Sequence, residues 1–182
     1  WLYSIRIFKF RTMVQRLFPV CVQKKLDGLT IVIYRNKAVT RGNGTKGEIV
    51  NFFPKKYDLS KNRSDYPVRG ELVLTRSAFN QINEERQEQG LELYKNPRNA
   101  AAGIIRSIDK SPYIDHLIFV AYDLIDCPLT VEKKLAHIME RTDFDVIDNI
   151  IPKSAEDTIE IVPIEYEATK NDDVPIDGMV IK

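Results

Sequence analysis

Short, mostly apolar runs separated by polar, charged and glycine-bearing stretches mark out the elements of this chain. Residues 29–34, Leu-Thr-Ile-Val-Ile-Tyr, are rich in β-branched and aromatic side chains and predict a strand. Arg35-Asn36-Lys37 reads as a turn, and residues 38–40 as the returning strand. Gly42, Gly44 and Gly47 then interrupt any regular element. Residues 55–65 are polar and charged, a surface loop, and residues 68–74 are a strand. Thr75 is placed to cap a helix with Ala78, Phe79 and Ile82 on one face, and Gly90 ends it. Residues 99–108 form a short, alanine-rich helix, and 117–125 a buried strand. Thr130 is placed to cap another helix, with Val131, Leu135, Ile138 and Met139 at helical spacing. Residues 144–150, 159–164 and 179–181 read as short strands. The sum is a mixed α+β domain dominated by antiparallel sheet.

Composition narrows the picture a little. A chain of 182 residues suffices for one large domain or two small lobes. Net charge is only +1, so any nucleic-acid binding must use a local cluster of Arg and Lys. Two cysteines, Cys21 and Cys127, are too few for a disulfide framework or a four-cysteine zinc site. They read as reduced and buried, in a cytoplasmic protein. No apolar run is long enough to span a membrane. Residues 1–20 form a leading segment, and 21–182 the main domain. Residues 1–18 mix Arg and Lys with Ile, Leu and Phe and hold no acid, loosely like a transit peptide. Without a cleavage-type small-residue site, a leading strand or helix packed on the main domain is the better reading.

Four motifs carry the chemistry, in a fixed order. They are Lys25-Leu26-Asp27-Gly28, Thr40-Arg41-Gly42-Asn43-Gly44, Asn96-Pro97-Arg98-Asn99-Ala100-Ala101-Ala102-Gly103, and Ile176-Asp177-Gly178-Met179-Val180-Ile181-Lys182. Lys25 precedes a tight Asp27-Gly28 turn, which would hold its amine at one point. A lysine amine can form and later release a phosphoramide once deprotonated. Alone, the motif would equally describe a surface lysine beside a turn. Lys24 would point to the opposite face of a strand. Gly42-x-Gly44-x-x-Gly47 also fits a dinucleotide fingerprint, but Pro54 opposes the helix that reading needs. Gly70, beside Glu71, is where a ligand could approach closely. Alanines and Gly103 between Arg98 and Arg106 would let a ligand near a helix start, and the two arginines, eight apart, could share a face. Tyr122, in an apolar strand, reads equally as core.

Together the motifs resemble the adenylation (nucleotidyltransferase) domain of bacterial NAD-dependent DNA ligases, from about Gln23 to Lys182. The resemblance implies an ATP-grasp-like nucleotidyltransferase fold of mainly antiparallel sheets with flanking helices, incomplete at its C-terminus. It implies NAD as AMP donor, Mg²⁺, a nicked DNA duplex as partner, and we expect a monomer. It makes Lys25 the nucleophile, with Asp27 and Lys182 catalytic. Gln23, Leu26, Arg41, Glu71, Tyr122 and Asp177 would serve the nucleotide, with Tyr122 stacked on adenine. Glu71 and Asp177 would serve the metal, and Arg41, Arg98 and Arg106 the DNA phosphates.

The chain departs from the family's pattern in places. Gln23 stands where the family has a Glu that contacts adenine, and Asn43 where it has an Asp. An amide keeps an acceptor but loses the charge. The cap that grips the nicotinamide half is not recognisable in residues 1–18, and a second lysine that normally follows lies beyond Lys182. A decayed, non-catalytic nucleotide- or DNA-binding module is the alternative. An ATP-using ligase or capping-type enzyme shares Lys-x-Asp-Gly but not the 96–103 segment.

Overall fold

The computed structural model describes residues 2–41 and 47–182, with residues 2–8 as backbone only. Gly42, Asn43 and Gly44 of the second motif lie outside the described residues. The chain divides into two units. One comprises residues 1–25, 148–172 and 176–182, the other residues 26–147 and 173–175.

The first unit is built by the chain's two ends. Helix α1 (Leu2–Leu17) settles the leading segment as helix, and strand β1 (Val22–Leu26) follows it. Helix α5 (Ala155–Ala168) packs on α1, and strand β7 (Ile176–Ile181) pairs with β1 in a two-stranded sheet. Cys21 and Lys182 exchange both backbone hydrogen bonds, at 2.9 and 3.0 Å, which is antiparallel geometry. The strand expected over 159–164 is instead part of α5. Ser154 starts that helix, its side chain accepting from Asp157 N–H at 3.0 Å, while Asp157 accepts from Lys153 N–H at 2.7 Å. Glu156 and Asp157 in the first turn suit the positive helix end.

The second unit centres on a five-stranded sheet. Its strands are β2 (Leu29–Tyr34), β3 (Lys37–Thr40), β4 (Val68–Val73), β5 (Ile118–Leu124) and β6 (Asp145–Val146). The order is β3-β2-β4-β5-β6, antiparallel except for β5 with β6. Only two residues of the strand expected over 144–150 pair here; Ile150 makes one bridge to Val22 in the other unit's own framework. Ile31, Ile33, Leu72, Phe119 and Ala121 are fully buried. Helices α2 (Arg76–Glu88), α3 (Pro97–Ile105) and α4 (Val131–Arg141) contribute Ile82, Ala100, Ala101, Ile104, Leu135 and Ile138 to the same core.

Helix signals held unevenly. Thr75 caps α2 as expected, its side chain accepting from Ala78 N–H at 3.2 Å. Gly90 follows the helix at φ +67°, the left-handed conformation that favours glycine. Thr130 sits at the N-cap of α4 but makes no side-chain capping bond, and Met139 turns outward. The third motif starts its helix earlier than expected. Asn96 caps α3 by accepting from Asn99 N–H at 2.8 Å, and Pro97 takes the first turn. The helix ends at Ile105, leaving Ile108 exposed.

The β2–β3 connection is the two-residue turn Arg35-Asn36, since Tyr34 pairs with Lys37. Arg35 adopts φ +52°, a conformation that costs a bulky residue roughly 1–3 kcal/mol. Residues 55–65 are more than a surface loop. Tyr57 is 3% exposed; its hydroxyl donates to Asp145 at 2.5 Å and accepts from Phe119 N–H at 3.1 Å.

Candidate active site

In the first unit the nucleophile candidate sits where the outer motifs meet. Lys25 on β1 forms an ion pair with Asp177 on β7, so the first and last motifs meet side chain to side chain. A Cβ at Gly178 would lie 4.0 Å from Lys25 Cδ, in ordinary contact. Lys24 takes a different carboxylate, Asp172, at 2.7 Å. That divergence follows from strand alternation. Gln23 shares the Lys25 face by the same alternation and is 3% exposed, its Nε2 buried with no hydrogen-bond partner. Lys182 holds Cys21 through the backbone.

In the second unit the polar residues gather on the sheet face opposite Ile31 and Gly70. Thr30 lies directly across from Glu71, and its hydroxyl donates to Glu71 Oε2 at 3.1 Å. Tyr122 is the extra residue where the β4–β5 register shifts between Arg69 and Gly70, and its hydroxyl meets Thr30. Bulges of this kind re-aim a side chain. Burial, helped by the Glu71 charge, pushes the Tyr122 hydroxyl up to about 12. Burial also raises the Glu71 carboxyl above the usual range. Hydrogen bonds from Thr30 and Gly28 N–H, and the charge of Arg98, act the other way.

Asp27, in the turn after β1, accepts from Arg98 at 3.2 Å. The Arg98 guanidinium therefore ties the third motif to the first. Leu26 is half-buried against the core. Arg106 lies beyond the end of α3, 3.8 Å from Glu48, so the expectation that Arg98 and Arg106 share one helix face gives way to two separate ion pairs. Arg41 is exposed.

Two further expectations are corrected. Gly70 admits no ligand: a Cβ there would lie 2.5 Å from both Phe119 Cζ and the Val120 carbonyl oxygen, so the core ring occupies the space. The alanines of the third motif serve packing as well. Ala100 and Ala101 are fully buried, and a Cβ at Gly103 would meet Tyr94 at 2.8 Å. Thr30 was missed altogether. It is the one polar residue within the apolar run of β2, and that was the available signal.

Among the described residues no group of three or more His, Cys, Asp and Glu could hold a metal ion. Glu71 and Asp177 are hard oxygen donors, and Mg²⁺ commonly takes only one or two carboxylates beside substrate phosphates. The donor chemistry therefore fits that ion.

Glu71 carries its charge at a cost, because burial opposes ionisation. Its folded pKa lies above its unfolded value, so stability falls as pH rises through that interval. Glu71→Gln should therefore raise the melting temperature near neutral pH, with the gain vanishing as pH drops below the usual glutamate range. Thermal melts from pH 4 to about pH 7.5 check this; a gain that persists at the acid end would point to packing instead.

The family model described as the NAD-dependent DNA ligase adenylation domain matches residues 3–182. The DNA ligase of Clostridioides difficile (strain 630) is 32% identical over 176 residues, covering 88% of this chain and 26% of the relative. That of Haloferax volcanii is 34% identical over 180 residues, covering 90% and 25%. The chain thus spans about a quarter of the length of the curated relatives it matches. Among solved structures, a Lig E DNA ligase superposes with TM-score 0.58 at 16% identity, covering 90% of this chain and 54% of that one. Mycobacterial DNA ligase D, solved with ATP and MES, gives TM-score 0.51 at 14% identity, covering 90% and 48%. At those identities the likeness is one of fold.

Proposed function

This chain belongs to the NAD-dependent DNA ligase adenylation domain family, and we propose that it forms a lysyl-adenylate from NAD and passes the AMP to the 5′-phosphate of a DNA nick. The observation that carries this reading is the Lys25–Asp177 ion pair. An ammonium cannot attack phosphorus, and the contacting carboxylate holds the Lys25 amine in place for attack once burial or a neighbouring positive charge has removed its proton. Lys25 Nζ then bonds to the α-phosphorus, the bond to nicotinamide mononucleotide breaks, and Lys182 offsets charge on the phosphate. Mg²⁺ held by Asp177 or Glu71 would supply Lewis-acid neutralisation of phosphate oxygens.

Asp27 orients the nucleophile's turn through Arg98. Leu26 shapes that turn, and Gln23 offers an amide to the nucleotide. Glu71 and Tyr122 serve the nucleoside. Arg41, Arg98 and Arg106 serve nick phosphates, with Arg98 divided between that task and Asp27. We place the activity in DNA replication and repair, in a cytoplasmic monomer. Buried Cys21 and Cys127 support a reducing compartment, and no helix among the described residues is long and apolar enough to cross a membrane. The test is incubation with NAD labelled in its adenylate half, followed by peptide mapping. Label on a residue other than Lys25 overturns the assignment.

Tyr122 gives a second check on the nucleoside reading. Tyr122→Ala should weaken AMP binding by about 1–3 kcal/mol, the usual cost of truncating a stacking ring. Tyr122→Phe should cost much less, because the ring stays and the hydroxyl's contact with Thr30 is what goes. Calorimetry with AMP measures both, and equal losses would assign Tyr122 to the core through its hydroxyl.

A further inference from the structure

A concavity of about 990 Å³ lies in the second unit between the β2–β3 hairpin and residues 59–67. Its charge differs from that of the chain as a whole. The net charge of the chain is +1, whereas this lining presents Arg35, Lys37 and Arg63 against one acid, Asp65. Among the described residues, Arg35 and Lys37 enter no salt bridge. Arg63 donates one guanidinium nitrogen to the Ser60 carbonyl, at 2.7 Å, and among the described residues enters no salt bridge. The neighbouring Asp58 carboxyl is held below its usual range by Ser60, with Lys61 and Arg63 adding to the effect.

The two loops that carry the cations are joined through the backbone. Asn62, 9% exposed, donates to the Arg35 carbonyl at 2.9 Å and accepts from Ser64 N–H at 3.0 Å. One buried amide thus joins the hairpin tip to the facing loop. Arg35 occupies a turn position that favours glycine, so a long cation stands where the backbone would select against it. Tyr34, 49% exposed, adds a ring at the mouth. Three cations that enter no salt bridge among the described residues, spread over two joined loops, suit a repeating anion better than a single one.

We infer that this concavity binds the phosphodiester backbone of DNA, as a contact surface additional to Arg41, Arg98 and Arg106. The inference rests on the proposed function only in taking the DNA to be the nicked duplex. Each phosphate contact contributes about 0.9 to the slope of log affinity against log salt on duplex DNA. The triple variant Arg35→Gln, Lys37→Gln, Arg63→Gln should therefore lower that slope by about 2–3 units. The experiment is anisotropy of the purified chain with a labelled nicked duplex across a salt series, with thermal melts to show equal folding.

An unchanged slope in the folded variant overturns the site. So does displacement of the duplex by AMP or inorganic phosphate that the parent shows and the variant lacks, since that would mark a mononucleotide or free-phosphate site. Lys25 labelling by NAD, read in the same preparations, should be equal in parent and variant. Its absence from both would strike the proposed function while leaving the slope difference standing.

Discussion

Lys25→Arg is expected to abolish the covalent adenylate altogether while leaving the fold intact. Lys25 is about half exposed, so the longer side chain meets no packing barrier, and an arginine can keep the ion pair with Asp177. What it cannot do is lose its proton at any accessible pH, and a protonated guanidinium has no lone pair for phosphorus. The variant thus separates nucleophilicity from charge. Asp177→Asn makes the complementary test. It keeps the size of the side chain and removes the charge that positions the amine, so labelling should be slowed although Lys25 loses its proton more easily. Mass spectrometry of the intact chain after exposure to NAD reads both. Full labelling of the Lys25→Arg variant would move the nucleophile to another lysine, with Lys24 and Lys182 the first to examine.

The parts of the site visible in the sequence were those written as contiguous residue types. Lys25-Leu26-Asp27-Gly28 and Ile176 to Lys182 could be read as motifs, and the fold then placed Lys25 and Asp177 in contact. The strand over Leu29–Tyr34 was equally plain, from its β-branched and aromatic residues. Links made across the fold could not be read. Arg98 meets Asp27 across 71 positions, and no spacing rule connects them. Tyr122 reaches Thr30 because of a bulge, and a bulge depends on the pairing of two strands rather than on either alone. Helix α5 was mistaken for a strand for a different reason. Its Ile159, Ile161, Val162 and Ile164 are β-branched, which favours a strand, whereas the Ser154 cap that starts the helix was not read. Tyr57 was hidden by its charged neighbours, although its ring is part of the core.

Phe119→Ala should produce the largest loss of stability, about 3–5 kcal/mol by the usual cost of truncating a buried aromatic ring. Phe119 is fully buried, and its ring lies edge-on to Phe53, Tyr57 and Phe144 at centroid distances of 5.7, 6.2 and 5.2 Å. Removing it empties the centre of that cluster and leaves Tyr57 with only the Phe53 and Phe144 rings, at 6.0 and 6.2 Å, to pack on. Gly70→Ala should also destabilise, by about 1–3 kcal/mol, because its Cβ enters space already filled. The two changes should not add. The new methyl meets the Phe119 ring and the Val120 carbonyl at the same 2.5 Å, and only the ring is removed by Phe119→Ala. Gly70→Ala should therefore cost less in the Phe119→Ala background than in the parent, yet still cost something, because the carbonyl remains. Denaturant titrations of the four chains measure the coupling, expected in the range of about 0.5–3 kcal/mol. Strict additivity would show that the ring does not occupy the Gly70 space and that the Val120 carbonyl alone limits it.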